Sequence, residues 1–590
     1  MYPYPSIRLL SVILVVLLFT SACAVPTVQP PEDTVVVVDA GEDSVATATP
    51  ISEEEDPATE PIPPLDDPEL IAAAERAQEL RVATAFEADS LDPARAHPRS
   101  SISAMLLRAL YQTLVTAPDD PSGEVAPDLA EAWEISDDGS TVTFHLREAT
   151  FADGSPVTAE DVKFSIERLQ GIGGAPAYLA NTIDAVEVID DRTVVLNLEH
   201  PDPGILDKLA SPAFSVLNRA LLIEVEDSTD EEDAVEAWLN ANSAGSGSYV
   251  LKQREPGAET VLARNEFYTE DPERAEHIVV RIVPDPNEQA SQLTAGEIDV
   301  ALNLTAEVAG NLAENSAVNV VTAPTLDLIF LQANQDPEIG GIASDPLVQR
   351  AIRLALDYEG IRELVGGAAV TPPSFLPQGL PEALPEGIDR DLEQARMLLD
   401  EAGYQGEEIP LVYPETSSFY AQLAEKISAD VNEIDLSVFP QPVPIQLWRE
   451  GNHPLSLSAT GPDYIDASAY LDFLPGGVIA NRINWHDDEL ADLSEFIRTV
   501  PDPEQRQELL FYAQELTNER GPYAFVVQPP VFVGLSPGVQ GYQYNPQYTT
   551  TLARLWFECD CDEAASICSD DCSQRVCWRC RWQCNNVNSC

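Results

Sequence analysis

The sequence predicts an α/β protein built from more than one lobe. Its 590 residues exceed the size of one ordinary domain. Hydrophobic residues make up 44% of the chain and aromatic residues 7%, which is enough for buried cores. Strand-like segments and amphipathic helical segments follow one another from about residue 81 to residue 556. These three observations together predict a globular body with two or three lobes.

The net charge of −68 excludes one class of partner. A surface this acidic repels phosphate backbones and anionic lipid head groups, so nucleic acid is not expected to bind. Attraction of cationic ligands is one interpretation of the charge. A solvated acidic surface explains the same charge more simply.

Residues 1–23 have the pattern of an export signal. The apolar core Leu9–Phe19 has about eleven residues, whereas a membrane span needs roughly twenty, so a cleaved signal is predicted. Thr20-Ser21-Ala22-Cys23 resembles a bacterial lipobox, which implies that Cys23 carries a lipid. The alternative is an ordinary exported protein with an incidental cysteine. Residues 24–79 are rich in Pro, Thr, Asp and Glu, a composition that predicts a disordered tether.

An ordered series of turns and caps follows in residues 91–168. Apolar spacing predicts a helix from Ser100 that closes on Tyr111, where the tyrosine is expected in the core. Ser136–Gly139 is a hairpin turn before the alternating strand Thr141–Leu146. After a second turn, Thr158–Asp161 caps a helix predicted over Val162–Leu169.

The downstream chain continues the alternation of strands and helices. A buried strand is predicted at Leu328–Asn334 and an amphipathic helix at Asp345–Asp357. Asp391–Tyr404 is a helix that ends on a glycine cap, and Glu504–Glu519 is a long helix. Tyr523–Val533 is predicted to return as one strand.

The series in residues 91–168 resembles the peptide/nickel class (family 5) of extracytoplasmic solute-binding proteins, the receptors of ATP-driven (ABC) importers. Gly245–Leu251, Ala295–Ala301 and Asp391–Tyr404 are similar to further segments of that family. The resemblance implies a periplasmic-binding-protein type II-like fold of two hinged lobes with an inserted subdomain. Carried over, the solute-binding domain spans 80–558. Its main lobe takes about 80–118, 240–325 and 527–558, the inserted subdomain 119–239, and the second lobe 326–526.

The residues favour binding over catalysis. No two of the six histidines are spaced as metal ligands on one helix, and the sequence contains no H-E-x-x-H, G-x-S-x-G or phosphate-loop pattern. We therefore expect no enzyme activity, no cofactor and no metal site.

The resemblance also implies ligand-binding residues. Asp463 aligns with the family's aspartate that pairs with the α-ammonium group of a peptide, and Tyr464 follows it. Thr460 stands where the family often has tryptophan, which suggests a roomier or more polar pocket. Arg99 is a candidate partner of a ligand carboxylate, although a solvated loop arginine is the simpler interpretation and is favoured over it. The remaining candidates are Asn303, Asn334, Tyr523 and Gln528.

Eight of the nine cysteines lie within Cys559–Cys590, a tail that the resemblance does not cover. In an exported chain an even set of cysteines indicates disulfides. An out-of-frame translated or unstructured tail is nevertheless the favoured interpretation, ahead of a small disulfide module and of a metal site. The tail therefore does not contribute to the functional prediction.

The sequence thus predicts a lipid-anchored extracytoplasmic receptor that captures a small solute, most simply an oligopeptide. It is expected to be a monomer that closes around the ligand and delivers it to a membrane permease. One alternative is a receptor of the same fold for an oligosaccharide or a metal chelate. Another is a sensor or scaffold that does not transport.

Overall fold

The structure is a computed structural model that describes residues 79–228, 234–270, 274–315 and 318–557, all within one compact unit. The predictions for the signal sequence, for Cys23 and for the Cys-rich tail concern residues outside these ranges. Of the predicted tether only Glu79 is described, and it already begins the first strand.

Strands occur throughout the described ranges. In chain order they are β1 (Glu79–Thr84), β2 (Val115–Thr116), β3 (Ala126–Pro127), β4 (Ala130–Ile135), β5 (Thr141–Leu146), β6 (Ile183–Asp190), β7 (Thr193–Leu198), β8 (Tyr249–Glu255), β9 (Glu259–Arg264), β10 (His277–Ile282), β11 (Val300–Ala301), β12 (Asn319–Pro324), β13 (Leu328–Ala333), β14 (Ile409–Pro414), β15 (Val438–Val443), β16 (Leu455–Thr460), β17 (Tyr523–Val527), β18 (Pro530–Leu535), β19 (Val539–Gln540) and β20 (Trp556–Phe557).

Helices alternate with these strands. They are α1 (Ser101–Leu110), α2 (Ala159–Ile172), α3 (Ile205–Leu209), α4 (Arg219–Asp227), α5 (Ala234–Leu239), α6 (Pro286–Thr294), α7 (Ala306–Ala313), α8 (Pro337–Gly340), α9 (Pro346–Ala355), α10 (Tyr358–Val365), α11 (Leu392–Ala402), α12 (Ser418–Asn432), α13 (Ile445–Glu450), α14 (Val478–Arg482), α15 (Asp488–Ile497) and α16 (Pro503–Arg520).

Three larger sheets organise the chain. A seven-stranded sheet has the order β12-β18-β11-β1-β10-β9-β8, a four-stranded sheet the order β4-β5-β7-β6, and a five-stranded sheet the order β15-β14-β16-β13-β17. In the first sheet β1 is parallel to β10 and β11, with Val82 opposite both Val280 and Val300. The predicted lobe boundaries remain predictions.

Local sequence signals determine several element ends. A capping box forms at α2, where Thr158 and Asp161 satisfy each other's backbone N–H groups. Helix α11 ends on Gly403 in the left-handed conformation. Tyr111 follows the last residue of α1 and is 1% exposed, in agreement with its predicted place in the core. In the described ranges we find no helix with the length and apolar content that a membrane crossing requires.

Two chain segments connect the seven-stranded sheet to the five-stranded sheet, and they lie side by side. One is Thr325–Asp327, between β12 and β13, and the other is Gln528-Pro529, between β17 and β18. The Thr325 hydroxyl donates to the Pro529 carbonyl at 2.7 Å, and the Gln528 amide donates to the Thr325 carbonyl at 3.1 Å. These bonds join the two crossing segments, which we call the hinge.

The prediction of one strand over Tyr523–Val533 is wrong. The chain forms β17 in the five-stranded sheet and then β18 in the seven-stranded sheet. Pro529 and Pro530 lack backbone N–H groups, so the ladder cannot continue through them. Gln528 instead exchanges backbone hydrogen bonds with Val370, outside both sheets.

Gly247 allows the segment before β8 to pass directly against the end of α1. A Cβ at this position would overlap the backbone of Ala109 and Leu110. This close approach explains the glycines of the Gly245–Leu251 segment.

We expect Gly247→Ala to lower the free energy of unfolding by about 1–3 kcal/mol, because a rigid backbone contact must shift. Gly171→Ala is the matched control, since Gly171 lies in α2 and a Cβ there meets no atom within 4 Å. The control is expected to be neutral or slightly stabilising. Thermal unfolding measures both variants, and equal melting temperatures would contradict the packing argument.

Candidate functional site

Two adjoining cavities share the loop residues Pro98 and Arg99. The hinge cavity has a volume of 460 Å³ and extends to the hinge residues Asp327 and Pro529. The subdomain cavity has a volume of 580 Å³. It lies between the region around α3 and the segment that follows β16. Volumes of this size suit small-molecule ligands.

The loop that separates the two cavities is held by Asp89. Its carboxylate accepts hydrogen bonds from the His97 backbone at 2.8 Å and from the Ser103 hydroxyl at 2.5 Å. Burial raises the pKa of Asp89, but these hydrogen bonds outweigh it, so the pKa lies below its usual value. The ionised carboxylate fixes the loop that places Arg99 between the cavities.

Asp463 lies in the wall of the subdomain cavity. It follows the end of β16 at Thr460, on a segment that leads into a 3-10 helix over Ala467–Phe473. The Tyr178 hydroxyl donates to Asp463 Oδ2. Burial and the Asp463 charge raise the pKa of Tyr178 well above its usual value, so the phenol keeps its proton and remains a donor. In the described part of the chain, Asp463 Oδ1 is buried and has no hydrogen-bond partner.

The segment around Asp463 is held by a buried ion pair. Arg506, on α16, donates to both oxygens of Asp466, at 2.9 and 2.6 Å. Asp466 also accepts the Ser468 backbone N–H at 2.8 Å and so caps the 3-10 helix. The two side chains are each 9% exposed. This rigid support sets the position of Asp463 three residues earlier.

Tyr464 lines the same cavity, but its hydroxyl is engaged by the protein. It is 5% exposed and lies 3.1 Å from the Ser468 hydroxyl, with the Lys208 ammonium 5.4 Å from its ring centre. Burial raises the pKa of Tyr464 beyond the physiological range. The side chain of Tyr464 is therefore uncharged and forms part of the cavity wall.

Four other charged groups of the subdomain cavity pair with one another. Lys208 donates to Asp202 at 2.5 Å, and Arg498 lies 3.6 Å from Asp472. Burial raises the pKa of Asp472, against the opposing charge of Arg498. Of the three aspartates that line this cavity in the described structure, Asp463 is therefore the one with a buried carboxylate oxygen that accepts no hydrogen bond.

The hinge cavity contains two predicted residues and one that the sequence analysis missed. Asn303 lines it, but its side-chain oxygen already accepts the Ala85 backbone N–H at 2.8 Å and the Thr84 hydroxyl at 3.1 Å. Arg99 lines both cavities. The missed residue is Asp327, a charged side chain between Leu326 and the buried strand β13. The sequence signal that could have identified Asp327 is a single carboxylate next to an apolar strand.

The structure does not bring three predicted residues to these cavities. Asn334 is fully buried at the far end of β13 from Asp327, and its side-chain oxygen accepts the Asp336 backbone N–H. Tyr523 packs in an aromatic core, where its hydroxyl donates to the Phe473 carbonyl at 3.0 Å. Gln528 is 1% exposed and bonds within the hinge. Each satisfies buried polar groups or fills the core, which corrects their assignment as ligand contacts.

In the described ranges no group of three or more His, Cys, Asp or Glu side chains is arranged to hold a metal ion. The carboxylates of the cavities are instead paired with basic groups or stand singly. The arrangement is suited to holding an organic cation by charge and hydrogen bonds.

Comparison with known proteins relates this fold to binding proteins. A probable D,D-dipeptide-binding periplasmic protein of Escherichia coli is 27% identical over 451 residues, covering 74% of this chain and 86% of the relative. Di/tripeptide-binding protein 2 of Pseudomonas aeruginosa is 26% identical, covering 82% of this chain and 96% of the relative. The crystal structure of the ABC transporter substrate-binding protein CtaP from Listeria monocytogenes superimposes with a TM-score of 0.71 at 22% identity, covering 81% of this chain and 99% of CtaP.

The structural likeness to CtaP confirms the predicted two-lobe binding-protein fold of α/β class. The model of the bacterial extracellular solute-binding proteins, family 5, matches residues 124–481, which is more than half of the chain. The predicted family is thereby confirmed. The chain belongs to the bacterial extracellular solute-binding proteins of family 5.

Proposed function

We propose that this protein is the substrate-binding lipoprotein of an ABC importer and that it captures short peptides with a free amino terminus. The observation that carries the proposal is the buried Asp463 Oδ1, which has no partner in the described structure and lies in the wall of the subdomain cavity. An ammonium group supplies the missing donors and neutralises the carboxylate. A ligand without a cation leaves that charge unpaired and is rejected.

Closure around the ligand is supported by a hydrogen bond between two parts of the chain that line opposite sides of the subdomain cavity. Tyr178, between α2 and β6, donates to Asp463, which follows β16 of the five-stranded sheet. The two crossing segments of the hinge carry the chain between the large sheets. A ligand that contacts both sides binds the closed arrangement more tightly than the open one. The difference between these two binding free energies is the stabilisation that the closed arrangement gains.

The peptide assignment is supported by the names of the relatives, which are D,D-dipeptide-binding and di/tripeptide-binding proteins. Arg99 stands between the two cavities, where its guanidinium suits a ligand carboxylate. A free peptide carries both an ammonium and a carboxylate group. The site therefore matches both ends of such a ligand.

The location is part of the same proposal. The lipobox-like Thr20-Ser21-Ala22-Cys23 supports anchoring at the outer face of the cell membrane or in the periplasm. The acidic, proline-rich residues 24–78 then act as a tether between the lipid and the binding body, and a monomer delivers its ligand to a membrane permease.

Native mass spectrometry of protein purified without refolding tests the ligand class. We expect a set of co-purified masses that fragment as short peptides. Asp463→Ala protein, purified in the same way, is expected to lose them. A bound oligosaccharide or metal chelate, or equal peptide retention in the variant, would contradict the proposal.

A further inference from the structure

The hinge cavity contains a side-chain amide that the capture of an amino terminus does not use. Gln547 lines this cavity and is 6% exposed. Its amide nitrogen and amide oxygen are both buried, and neither has a hydrogen-bond partner in the described part of the chain. Of the described side chains that line the two cavities, those of Asp463 and Tyr542 are the others with a buried polar atom in this state. A buried amide without partners is costly, and a ligand that supplies both partners removes the cost.

The loop that carries Gln547 is closed by its own hydrogen bonds. Asn545 and Thr549 exchange both backbone hydrogen bonds, at 2.9 and 2.8 Å. The side-chain oxygen of Asn545 accepts the Gln547 backbone N–H at 2.9 Å. Thr549 has a φ of 68°, a left-handed conformation that a β-branched residue rarely adopts. Such strain persists only where the surrounding structure enforces it, and it is common at ligand sites.

Two further hydrogen bonds fix this loop to the segment that follows β2. The Asn545 amide donates to the Pro118 carbonyl at 2.9 Å, and the Tyr548 hydroxyl donates to the Ala117 carbonyl at 3.2 Å. Asn545 and Tyr548 are both buried. The backbone of Gln547 is therefore held in place, while rotation about its side-chain bonds turns the amide toward a ligand in the cavity.

The polar groups of this site match a neutral amide. The side chain of Gln547 offers one acceptor oxygen and two N–H donors. Burial raises the pKa of Tyr542 above its usual value, so its hydroxyl keeps the proton and adds a donor. An ion would use the donors or the acceptor but not both. A residue of an extended peptide presents its N–H and its C=O on the same side, as residues of paired strands do.

We propose that Gln547 binds the main chain of a peptide ligand, accepting a hydrogen bond from the N–H and donating one to the C=O of the same residue. The Tyr542 hydroxyl is a further donor in this cavity. The inference rests on the proposed function, the capture of short peptides, and adds to it a site for the uncharged backbone. Such a site is independent of the ligand's side chains, so it suits peptides of varied sequence.

Isothermal titration calorimetry with Ala-Ala-Ala and two ester analogues tests the proposal. In each analogue an oxygen replaces one backbone N–H, that of the second or of the third residue, while the ammonium and carboxylate groups stay. We expect wild-type protein to bind one of the analogues about 3- to 10-fold more weakly than Ala-Ala-Ala, as for the loss of one neutral hydrogen bond. Gln547→Met is expected to bind Ala-Ala-Ala about tenfold more weakly and to bind that analogue with the same affinity, within about twofold.

Thermal unfolding separates ligand binding from a structural role. Gln547→Met removes two buried polar atoms that have no partner in the described structure, so the melting temperature is expected to stay equal or to rise. Gln543→Met is the matched control, because Gln543 is an exposed residue of the same segment that lines neither cavity. The control is expected to leave the affinity for all three ligands unchanged.

The other outcomes separate the possible errors. Equal wild-type affinity for the three ligands, or weaker binding of the analogue that persists in Gln547→Met, overturns the role of Gln547 while leaving peptide capture intact. A lower melting temperature of Gln547→Met with an equal loss of affinity for all three ligands would show that the amide supports the fold, and this too overturns the inference. Failure of every peptide to bind the wild-type protein overturns the inference together with the proposed function.

Discussion

Replacing Asp463 with alanine is expected to weaken the binding of a dipeptide such as Ala-Ala by about 30-fold or more. The carboxylate is the proposed partner of the ligand ammonium, and Tyr178 already satisfies its other oxygen. Loss of one member of a buried charge pair costs about 2–5 kcal/mol, because the remaining charge stays desolvated. Titration calorimetry of the purified variant measures the change.

Two controls separate this effect from a general change in charge. Glu148→Gln removes a carboxylate whose side chain is 91% exposed and lies outside both cavities, so affinity is expected to stay within about twofold. N-acetyl-Ala-Ala, which has no ammonium, is expected to bind wild-type protein as weakly as Ala-Ala binds the variant. Unchanged affinity in Asp463→Ala would remove this residue from the site.

Arg506→Ala is expected to cause the largest loss of stability, about 3–5 kcal/mol. Arg506 holds both oxygens of Asp466, and the carboxyl groups of Asp207 and Glu382 are neighbours. Burial, together with the charge of Asp466, raises the pKa of both neighbouring groups. Without Arg506, three enclosed carboxyl groups lack their shared cation.

The sign of the pH dependence follows from Asp466. Although burial raises its pKa, Arg506 and the hydrogen bonds outweigh that effect and keep the pKa below the usual value. The stabilisation is therefore present above the pKa of the unfolded chain and lost as pH falls through the folded pKa. We expect the stability lost by the variant to be the same at pH 7 and pH 5 and to shrink only as the pH falls below 3.8, the usual value for an aspartate, in a series of thermal unfolding measurements.

Arg396→Ala is the matched control for this variant. Arg396 is an exposed residue of α11 that donates to the Glu433 carbonyl. Its replacement is expected to change the free energy of unfolding by less than about 1 kcal/mol. Equal melting temperatures for the two variants would contradict the importance of the buried pair.

Features determined by neighbouring residues were predicted from the sequence. The capping box at Thr158 and the left-handed glycine at Gly403 depend on local hydrogen bonds and backbone angles. The alternation in β5 likewise matches a strand whose buried residues recur at every second position. These signals lie within a few residues of the element that they specify.

Features determined by distant packing were not predicted correctly. Asn334 directly follows β13 and Tyr523 begins β17, two buried strands that adjoin the hinge, but their side chains bond inside the protein. Asp327 reaches the hinge cavity because two crossing segments lie side by side, and no local pattern indicates that crossing. Gln528 was predicted to contact the ligand because it lies on the segment that returns through the hinge. Its side chain instead makes three hydrogen bonds, to Gln378 and Thr325, that hold the hinge together.

The central claim is that Asp463 binds the amino terminus of a peptide. A crystal structure of the protein with Ala-Ala tests it most directly. We predict the ligand nitrogen at about 2.7–3.0 Å from Asp463 Oδ1, with Tyr178 still bonded to Oδ2. A peptide bound with its amino terminus elsewhere, and Asp463 Oδ1 still without a partner, would contradict the claim.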